Sequence, residues 1–74
     1  MRNKILKIFT RVLKLKKIIK NPKKNKIKNW DSITHLNLIF ALEEELKIKF
    51  NDKEMIKIKS FEEACKIIKK KKNV

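Results

Sequence analysis

Apolar residues recur along this chain at intervals of three and four, which is the spacing of one face of an α-helix. The first such segment runs from about Asn3 to Lys20, where Lys and Arg fill most of the other positions. Its apolar stripe consists of Ile5, Ile8, Phe9, Val12, Leu15 and Ile19, widened by Leu6, Leu13 and Ile18. The pattern predicts a basic amphipathic helix that buries one side in a helical bundle.

The period breaks between Asn21 and Asn29, where lysine and asparagine predominate. Pro22 disfavours helical dihedral angles at the residue before it, so this segment is predicted to be a loop of about ten residues. Ile27 is the one aliphatic residue in the loop, and Trp30 stands at its end. We expect both side chains to anchor the loop on the core, because burial is the commoner use of an aromatic ring.

A second helix is predicted from Ser32 to Leu46. Asp31 and Ser32 are both favoured N-cap residues, and apolar residues at helical spacing follow them. The positions predicted to be buried are Leu38, Ile39, Leu42 and Leu46. A second arc of the same helix, expected to be partly exposed, carries Ile33, Leu36 and Phe40. Ser32 would then lie at the electropositive end of the helix, close to backbone N–H groups that have no partner within it.

A short third helix is expected after Phe50. Asn51 and Asp52 are both acceptable N-caps for a helix through residues 53–57. The apolar residues expected to close the core here are Met55, Ile56 and Ile58.

The final helix is predicted to begin after Ser60, because Glu63 follows three residues later and the two form a capping-box pattern. Its apolar side consists of Phe61, Ala64, Cys65, Ile67 and Ile68. The lysine-rich end, residues 69–74, is predicted to be frayed, as chain termini often are.

Composition also favours helices. The 74 residues include no glycine and one proline, and most of the abundant residue types lose little side-chain freedom in a helix. A chain of this length has room for one small core and no deep cleft. The predicted fold class is therefore all-α, with a single domain over residues 1–74. We expect a four-helix bundle with a long loop between the first two helices and a short third helix.

Cys65 is the only cysteine and His35 the only histidine, which excludes an internal disulfide and leaves a metal cage of Cys and His without enough ligands. We interpret Cys65 as a small buried hydrophobe and expect a cytoplasmic location and no metal. A Ser32–His35 pair would need an orienting carboxylate, an oxyanion hole and a cleft for catalysis, so His35 is expected to be a solvated surface residue. The sequence shows no secretory-signal pattern and no stretch of about 20 apolar residues that could span a membrane.

Charge is distributed unevenly along the chain. The formal net charge is +14, yet all eight acidic residues lie in residues 31–63, a segment with five bases and a net charge of −3. The first thirty residues carry twelve bases and residues 64–74 carry five, with no acid in either flank. Such flanks could bind nucleic acid or an anionic membrane surface. The alternative, which we favour for the first helix, is a bundle helix with a solvated lysine face.

The residues around the start of the second helix form a characteristic succession. Asp31-Ser32-Ile33 is followed by the apolar helix, then by ALEEEL at residues 41–46 and by IKF at residues 48–50. In a chain of this length the succession resembles an acyl carrier protein, and the resemblance covers most of the chain. The three-residue motif is weak alone, but its combination with the apolar spacing and the Glu-Glu-Glu ending is more specific. Ile33 replaces the leucine usual in that family and keeps an apolar side chain of equal size.

The resemblance implies a modification in place of an active site. Ser32, beside Asp31, would carry 4′-phosphopantetheine, attached covalently from coenzyme A by a phosphopantetheinyl transferase. The thiol of this group would hold an acyl or aminoacyl chain as a thioester for acyl-loading and acyl-transfer enzymes of fatty-acid, polyketide or nonribosomal-peptide biosynthesis. The protein itself would not be an enzyme and would have no catalytic residues.

The same resemblance implies a partner-binding surface on the second helix. This surface maps to Ile33, Leu36, Asn37, Phe40, Glu43 and Glu44. Thr34 and Asn37 stand where the family often has acidic residues, and this departure weakens two charge contacts that the resemblance implies. Alternatively, the apolar members of this surface only cap the core under the long loop. Without the modification, the chain would be a small basic module for nucleic acid or anionic membrane, or a structural subunit of a larger assembly.

Overall fold

The computed structural model describes residues 2–17 and 19–72. Its α-helices within those ranges are α1 (Arg2–Val12), α2 (Ser32–Leu46), α3 (Asp52–Lys57) and α4 (Phe61–Lys72), with a short 3₁₀ helix, Lys24–Lys26, between α1 and α2. The described residues contain no β-strand, and the one β-type contact among them is an isolated bridge between Lys23 and Ser60. The prediction of an all-α fold is confirmed. None of the helices in these ranges is both long and apolar enough to cross a membrane.

Helix α2 has the bounds that the sequence predicts, and its start is fixed by the N-cap residue Asp31. The Asp31 side chain accepts a hydrogen bond from the Thr34 backbone N–H at 2.9 Å, which satisfies a donor that the helix start leaves without a partner. The helix ends at Leu46, and the next residue, Lys47, has a left-handed φ of 56° that turns the chain away from the helix axis. The residues predicted to be buried are all buried, namely Leu38, Ile39, Leu42 and Leu46.

Helix α1 ends at Val12, well before its predicted end, so that part of the sequence prediction is wrong. A Schellman motif closes the helix: the N–H groups of Lys14 and Leu15 donate to the carbonyl oxygens of Arg11 and Thr10 at 3.3 and 3.0 Å. Lys14 adopts a left-handed φ of 54°, a conformation that costs residues other than glycine about 1–2 kcal/mol. The chain turns here although no glycine marks the turn.

The residues that follow α1 explain why the helix was predicted to be longer. Leu13 is fully buried and Leu15 is partly buried against the core, although both lie beyond the last helical residue. Ile19 is half-buried, and Ile18 lies outside the described residues. An apolar period reports which positions are buried, and it does not show whether the backbone between them is helical.

The core is centred on Phe9 of α1, which is fully buried. Its ring makes edge-to-face contacts with Trp30 and Phe61, with ring centroids 5.6 Å apart in each pair. Each such pair contributes about 0.5–1.5 kcal/mol beyond the area that it buries. The contacts join α1 to the start of α2 and to α4. Trp30 is buried and Ile27 packs partly buried against the same core, so the two predicted anchors of the loop are confirmed.

The long loop is fastened to the segment between α3 and α4 by backbone hydrogen bonds. The N–H of Lys24 donates to the carbonyl oxygen of Lys59 at 2.7 Å. The N–H of Phe61 donates to the carbonyl oxygen of Pro22 at 2.8 Å, which gives a partner to one of the donors at the start of α4. These bonds hold the middle of the loop beside the first turn of α4.

Helix α3 begins with a capping box, and one side of the helix faces the core. Asn51 Oδ1 accepts from the N–H of Glu54 at 2.8 Å, while Glu54 Oε1 accepts from the N–H of Asn51 at 2.9 Å. Met55 packs partly buried and Ile58 is fully buried, as predicted. Ile56, also predicted to be core, is 69% exposed. Adjacent residues on a helix point about 100° apart, so the inward position of Met55 turns Ile56 towards solvent.

Helix α4 begins after Ser60, whose Oγ accepts from the N–H of Glu63 at 3.2 Å, as predicted. On its predicted apolar side the buried residues are Phe61, Ala64 and Ile68, and the partly buried ones are Cys65 and Ile67. Residues 69–72, predicted to be frayed, are the last residues of α4 in the structure, while residues 73–74 lie outside the described part of the chain. Lys71 stabilises this end, since its Nζ lies 2.7 Å from Glu54 Oε1 and 5.6 Å from the centre of the Phe50 ring.

Candidate functional site

Ser32 is exposed and is the first residue of α2. The cap is supplied by the neighbouring Asp31, which bonds the N–H of Thr34, so the serine hydroxyl is not needed for that purpose. Hydrogen bonds from the Thr34 backbone lower the pKa of the Asp31 carboxyl, so the carboxylate persists as an acceptor at neutral pH. The predicted attachment residue is thus an accessible hydroxyl at a capped helix start.

Ser32 lines a groove between the start of α2, helix α3 and the long loop, with a volume of about 570 Å³. The residues that line the groove are Lys24, Ser32, His35, Leu36, Asp52, Met55, Ile56 and Lys59. Three of them are apolar and come from α2 and α3, while the charged ones are two lysines and one aspartate. The groove therefore offers both apolar surface and charge next to the serine hydroxyl.

His35 is fixed in this groove by two hydrogen bonds, so the prediction of a solvated surface residue is wrong. The indole N–H of Trp30 donates to His35 Nδ1 at 2.9 Å, and His35 Nε2 lies 2.8 Å from the carbonyl oxygen of Met55. Because Nδ1 accepts a hydrogen bond, Nε2 carries the proton of the neutral ring and donates a hydrogen bond to the Met55 carbonyl oxygen. The two rings are also stacked, with centroids 6.0 Å apart. Since both ring nitrogens are engaged, His35 has no nitrogen left to activate Ser32 as a nucleophile.

A sequence signal for this contact existed. Trp30 directly precedes the N-cap residue Asp31, and His35 is the fourth residue of the helix. These are the two positions that meet in a hydrophobic staple, which fixes the angle at which a chain enters a helix. The contact from His35 to α3 has no comparable signal, because it depends on how α3 packs.

The predicted partner surface of α2 is exposed along its apolar part. Ile33, Leu36 and Phe40 are exposed to 73, 48 and 58% of their surface, so the expectation of an exposed arc is confirmed. Asn37 is exposed beside them. Ile56 of α3 adds a further exposed apolar side chain across the groove. Large apolar side chains grouped on a surface in this way are typical of interaction sites.

The acidic part of the predicted surface is partly engaged within the chain. Glu43 Oε2 accepts a hydrogen bond from the N–H of Phe50 at 2.9 Å. Glu45 forms an ion pair with Arg11, which lowers the pKa of its carboxyl chiefly through their hydrogen bond. Glu44 is exposed and makes no side-chain hydrogen bond or ion pair with another described residue. Of the two predicted docking acids, Glu44 is exposed and Glu43 is partly buried.

Cys65 lies on α4 and is not among the residues that line the groove. It is partly buried against the core, and this burial raises the pKa of its thiol. A protonated and partly buried thiol reacts poorly, since the thiolate is the nucleophile. These properties agree with its interpretation as a small hydrophobic residue.

Lys24 and Lys59 form a pair that sequence reasoning missed. The backbone hydrogen bond between them places the two residues side by side on the groove that Ser32 lines. They are far apart in the sequence and lie in different connections, so only the folded chain brings them together.

No protein-family model matches the sequence. Comparison with curated proteins and with solved structures likewise finds no significant match. The chemistry and geometry of the residues around Ser32 are therefore the basis for a functional proposal.

Proposed function

We propose that this chain is an acyl carrier protein, with 4′-phosphopantetheine attached to Ser32. The observation that carries the proposal is the accessible Ser32 hydroxyl at the capped start of α2, next to an exposed apolar surface on the same helix. The order of elements supports it, since a long loop separates α1 from α2 and a short α3 precedes α4, as expected for this class. The resemblance of residues 31–50 to the family is the second line of support.

The residues around Ser32 fit such a group. Ser32 is exposed, and its hydroxyl is not needed to cap α2, because Asp31 does so. The groove beside it, with a volume of about 570 Å³, has room for a flexible chain. In the transfer from coenzyme A, a bond forms between Ser32 Oγ and the phosphorus next to the pantetheine part, and the P–O bond to the adenosine bisphosphate part breaks. The serine proton passes to a base of the transferase, which also holds Mg²⁺. When bound, the group supplies a thiol that holds an acyl or aminoacyl chain as a thioester.

The exposed part of α2 is the proposed docking surface for the transferase and for acyl-loading and acyl-transfer enzymes. Its apolar residues are Ile33, Leu36 and Phe40, and Asn37 and Glu44 supply polar contacts. Aromatic and aliphatic side chains that are exposed in the free protein become the buried centre of an interface. Docking here would bring a partner's active site close to Ser32, at the start of the same helix.

The test is intact-mass analysis after incubation with coenzyme A, Mg²⁺ and a phosphopantetheinyl transferase. The wild-type chain should gain the mass of one phosphopantetheine, and Ser32→Ala should gain none while keeping the same helical circular-dichroism spectrum. Ser60→Ala is the matched control, because Ser60 is the only other serine; this variant should still be modified. A wild-type chain that is never modified, or a modified Ser32→Ala variant, would refute the proposal.

A second candidate function is binding of nucleic acid or an anionic membrane surface through the basic flanks. The observation that favours it is that ion pairs among the described residues use only Arg2, Arg11 and Lys71 of the basic side chains. Most of the positive charge is therefore available to an anionic partner. Affinity for nucleic acid that falls steeply with salt and remains unchanged in Ser32→Ala would support this function.

A further inference from the structure

Lys24 and Lys59 lie together on the wall of the groove that Ser32 lines. The Lys24 N–H donates to the Lys59 carbonyl oxygen at 2.7 Å, and the adjacent bridge between Lys23 and Ser60 holds the same two segments together. The positions of both lysines are thus fixed by backbone contacts, while their side chains, on flexible four-carbon stems, remain free to follow a ligand.

The charges in this groove do not balance. Asp52 is the one carboxylate among the lining residues, against the two ammonium groups of Lys24 and Lys59. The ion pairs of the described residues, Arg2–Glu62, Arg11–Glu45 and Lys71–Glu54, include neither lysine. Two like charges side by side repel each other, and an anion placed between them converts that repulsion into attraction. The bases among the lining residues therefore exceed the carboxylates by one, and the excess stays the same when Lys23 and Glu63 are included, which line a neighbouring pocket with the same two lysines.

We propose that Lys24 and Lys59 bind the phosphodiester of the group attached to Ser32; this proposal rests on the proposed function. A phosphodiester carries a single negative charge at neutral pH, which balances the one excess base among the lining residues. Ser32 lines the same groove as the two lysines, so esterification of its oxygen places the phosphate in the groove that both lysines line. Lysine binds phosphate as a point charge and needs no fixed orientation. The arm then leaves Ser32 in one preferred direction, along the groove.

The first test compares the modified and unmodified forms of three proteins by thermal unfolding at low salt. They are the wild type, Lys24→Gln/Lys59→Gln and the control Lys69→Gln/Lys70→Gln, which removes the same charge from exposed positions of α4. Modification should raise the melting temperature of the wild type and the control by about 2–5 °C more than that of the groove variant, as expected for an exposed ion pair in a small domain. This difference between the melting-temperature shifts should become smaller at about 1 M salt, where the screening length is about 3 Å.

The second test needs no variant. Lysines of the wild-type chain are labelled with an amine-reactive reagent before and after modification, and the labelled peptides are quantified by mass spectrometry. Labelling of Lys24 and Lys59 should slow by about two- to five-fold after modification, because a nearby anion keeps the amine protonated. Labelling of Lys69 and Lys70 should not change.

The outcomes separate the two proposals. Equal shifts of melting temperature in all three proteins, or equal labelling of Lys24 and Lys59 before and after modification, would overturn the role of the lysines while leaving the carrier function in place. A wild-type chain that never gains the mass of the arm would overturn both. If the groove variant is not modified at all, the labelling experiment on the wild type still decides the question.

Discussion

Helix α2 has two apolar arcs that face different environments. The inner arc is buried in the core and consists of Leu38, Ile39, Leu42 and Leu46. The outer arc is exposed and consists of Ile33, Leu36 and Phe40. Both arcs are equally apolar in the sequence, so hydrophobicity alone does not separate the residues that stabilise the fold from those that are available to a partner. Their positions around the helix make that distinction, since only one side of α2 faces α1.

Substitution in the inner arc should produce the largest effect on stability. Leu42→Ala removes buried methyl groups from a site with no solvent exposure, and such changes lower the free energy of unfolding by about 2–5 kcal/mol. Urea unfolding, followed by circular dichroism and by fluorescence of the single tryptophan, measures this loss. If Leu42→Ala does not fold, Ile39→Val provides a milder test, with an expected loss of about 0.5–1.5 kcal/mol.

Phe40→Ala is the matched change in the outer arc. It removes more atoms than Leu42→Ala, yet Phe40 is largely exposed, so the free energy of unfolding should change by less than about 0.5 kcal/mol. Under the proposed carrier function, the same variant of the modified protein should also lose acyl transfer to a partner enzyme. Equal destabilisation by the two substitutions would show that the outer arc belongs to the core and is not a docking surface.

An intermediate effect is expected at His35, which connects the start of α2 to α3. His35→Ala removes the hydrogen bonds to Trp30 and Met55 and should lower the free energy of unfolding by about 1–3 kcal/mol. Trp30 fluorescence should also shift to longer wavelength, because the indole loses its stacked neighbour and becomes more hydrated.

His35→Phe separates the two contributions of this residue. It keeps a ring that can stack on Trp30 but removes both nitrogens, so it should restore part of the stability lost in His35→Ala. If His35→Ala and the wild type unfold at the same urea concentration, the contacts of His35 contribute nothing to the packing of α3, and the groove must be held open by other residues.

The accuracy of the sequence predictions differs between α1 and α2 for a physical reason. Helix α2 is marked by a residue that makes a specific backbone hydrogen bond, Asp31, and its start was predicted correctly. Helix α1 ends at Val12, and the turn after it has a left-handed Lys14 at a position usually taken by glycine. The buried Leu13 and the partly buried Leu15 continue the apolar pattern beyond the helix. Neither the residue type at the helix end nor the apolar pattern indicates where α1 stops, so the predicted helix extends into the loop.

Some parts of the candidate site could be predicted from the sequence and others could not. Ser32 and the exposed arc follow from the local motif and from helical spacing, which are properties of one segment. The Trp30–His35 contact was also predictable, from positions on either side of the cap. The pairing of Lys24 with Lys59 depends on a tertiary hydrogen bond between two connections, and nothing local in the sequence indicates it.

The polar contacts that join α3 to α4 should have a smaller effect on stability than the buried residues of α2. Hydrogen bonds from Lys71 and from the Asn51 backbone lower the pKa of Glu54 below its usual 4.5. A carboxyl whose pKa is lower in the folded protein stabilises the fold above the unfolded pKa, and this contribution is lost as the pH falls through the folded pKa. Wild-type stability should therefore exceed that of Glu54→Gln by up to about 1 kcal/mol at pH 7, and the gap should close as the pH falls below 4.5 and through the folded pKa. Glu44→Gln removes an exposed carboxylate that makes no ion pair with another described residue, and its free energy of unfolding at pH 7 should stay within about 0.5 kcal/mol of the wild-type value. A gap for Glu54→Gln that persisted in acid would show that the amide disturbs the packing of α3 and that charge is not the cause.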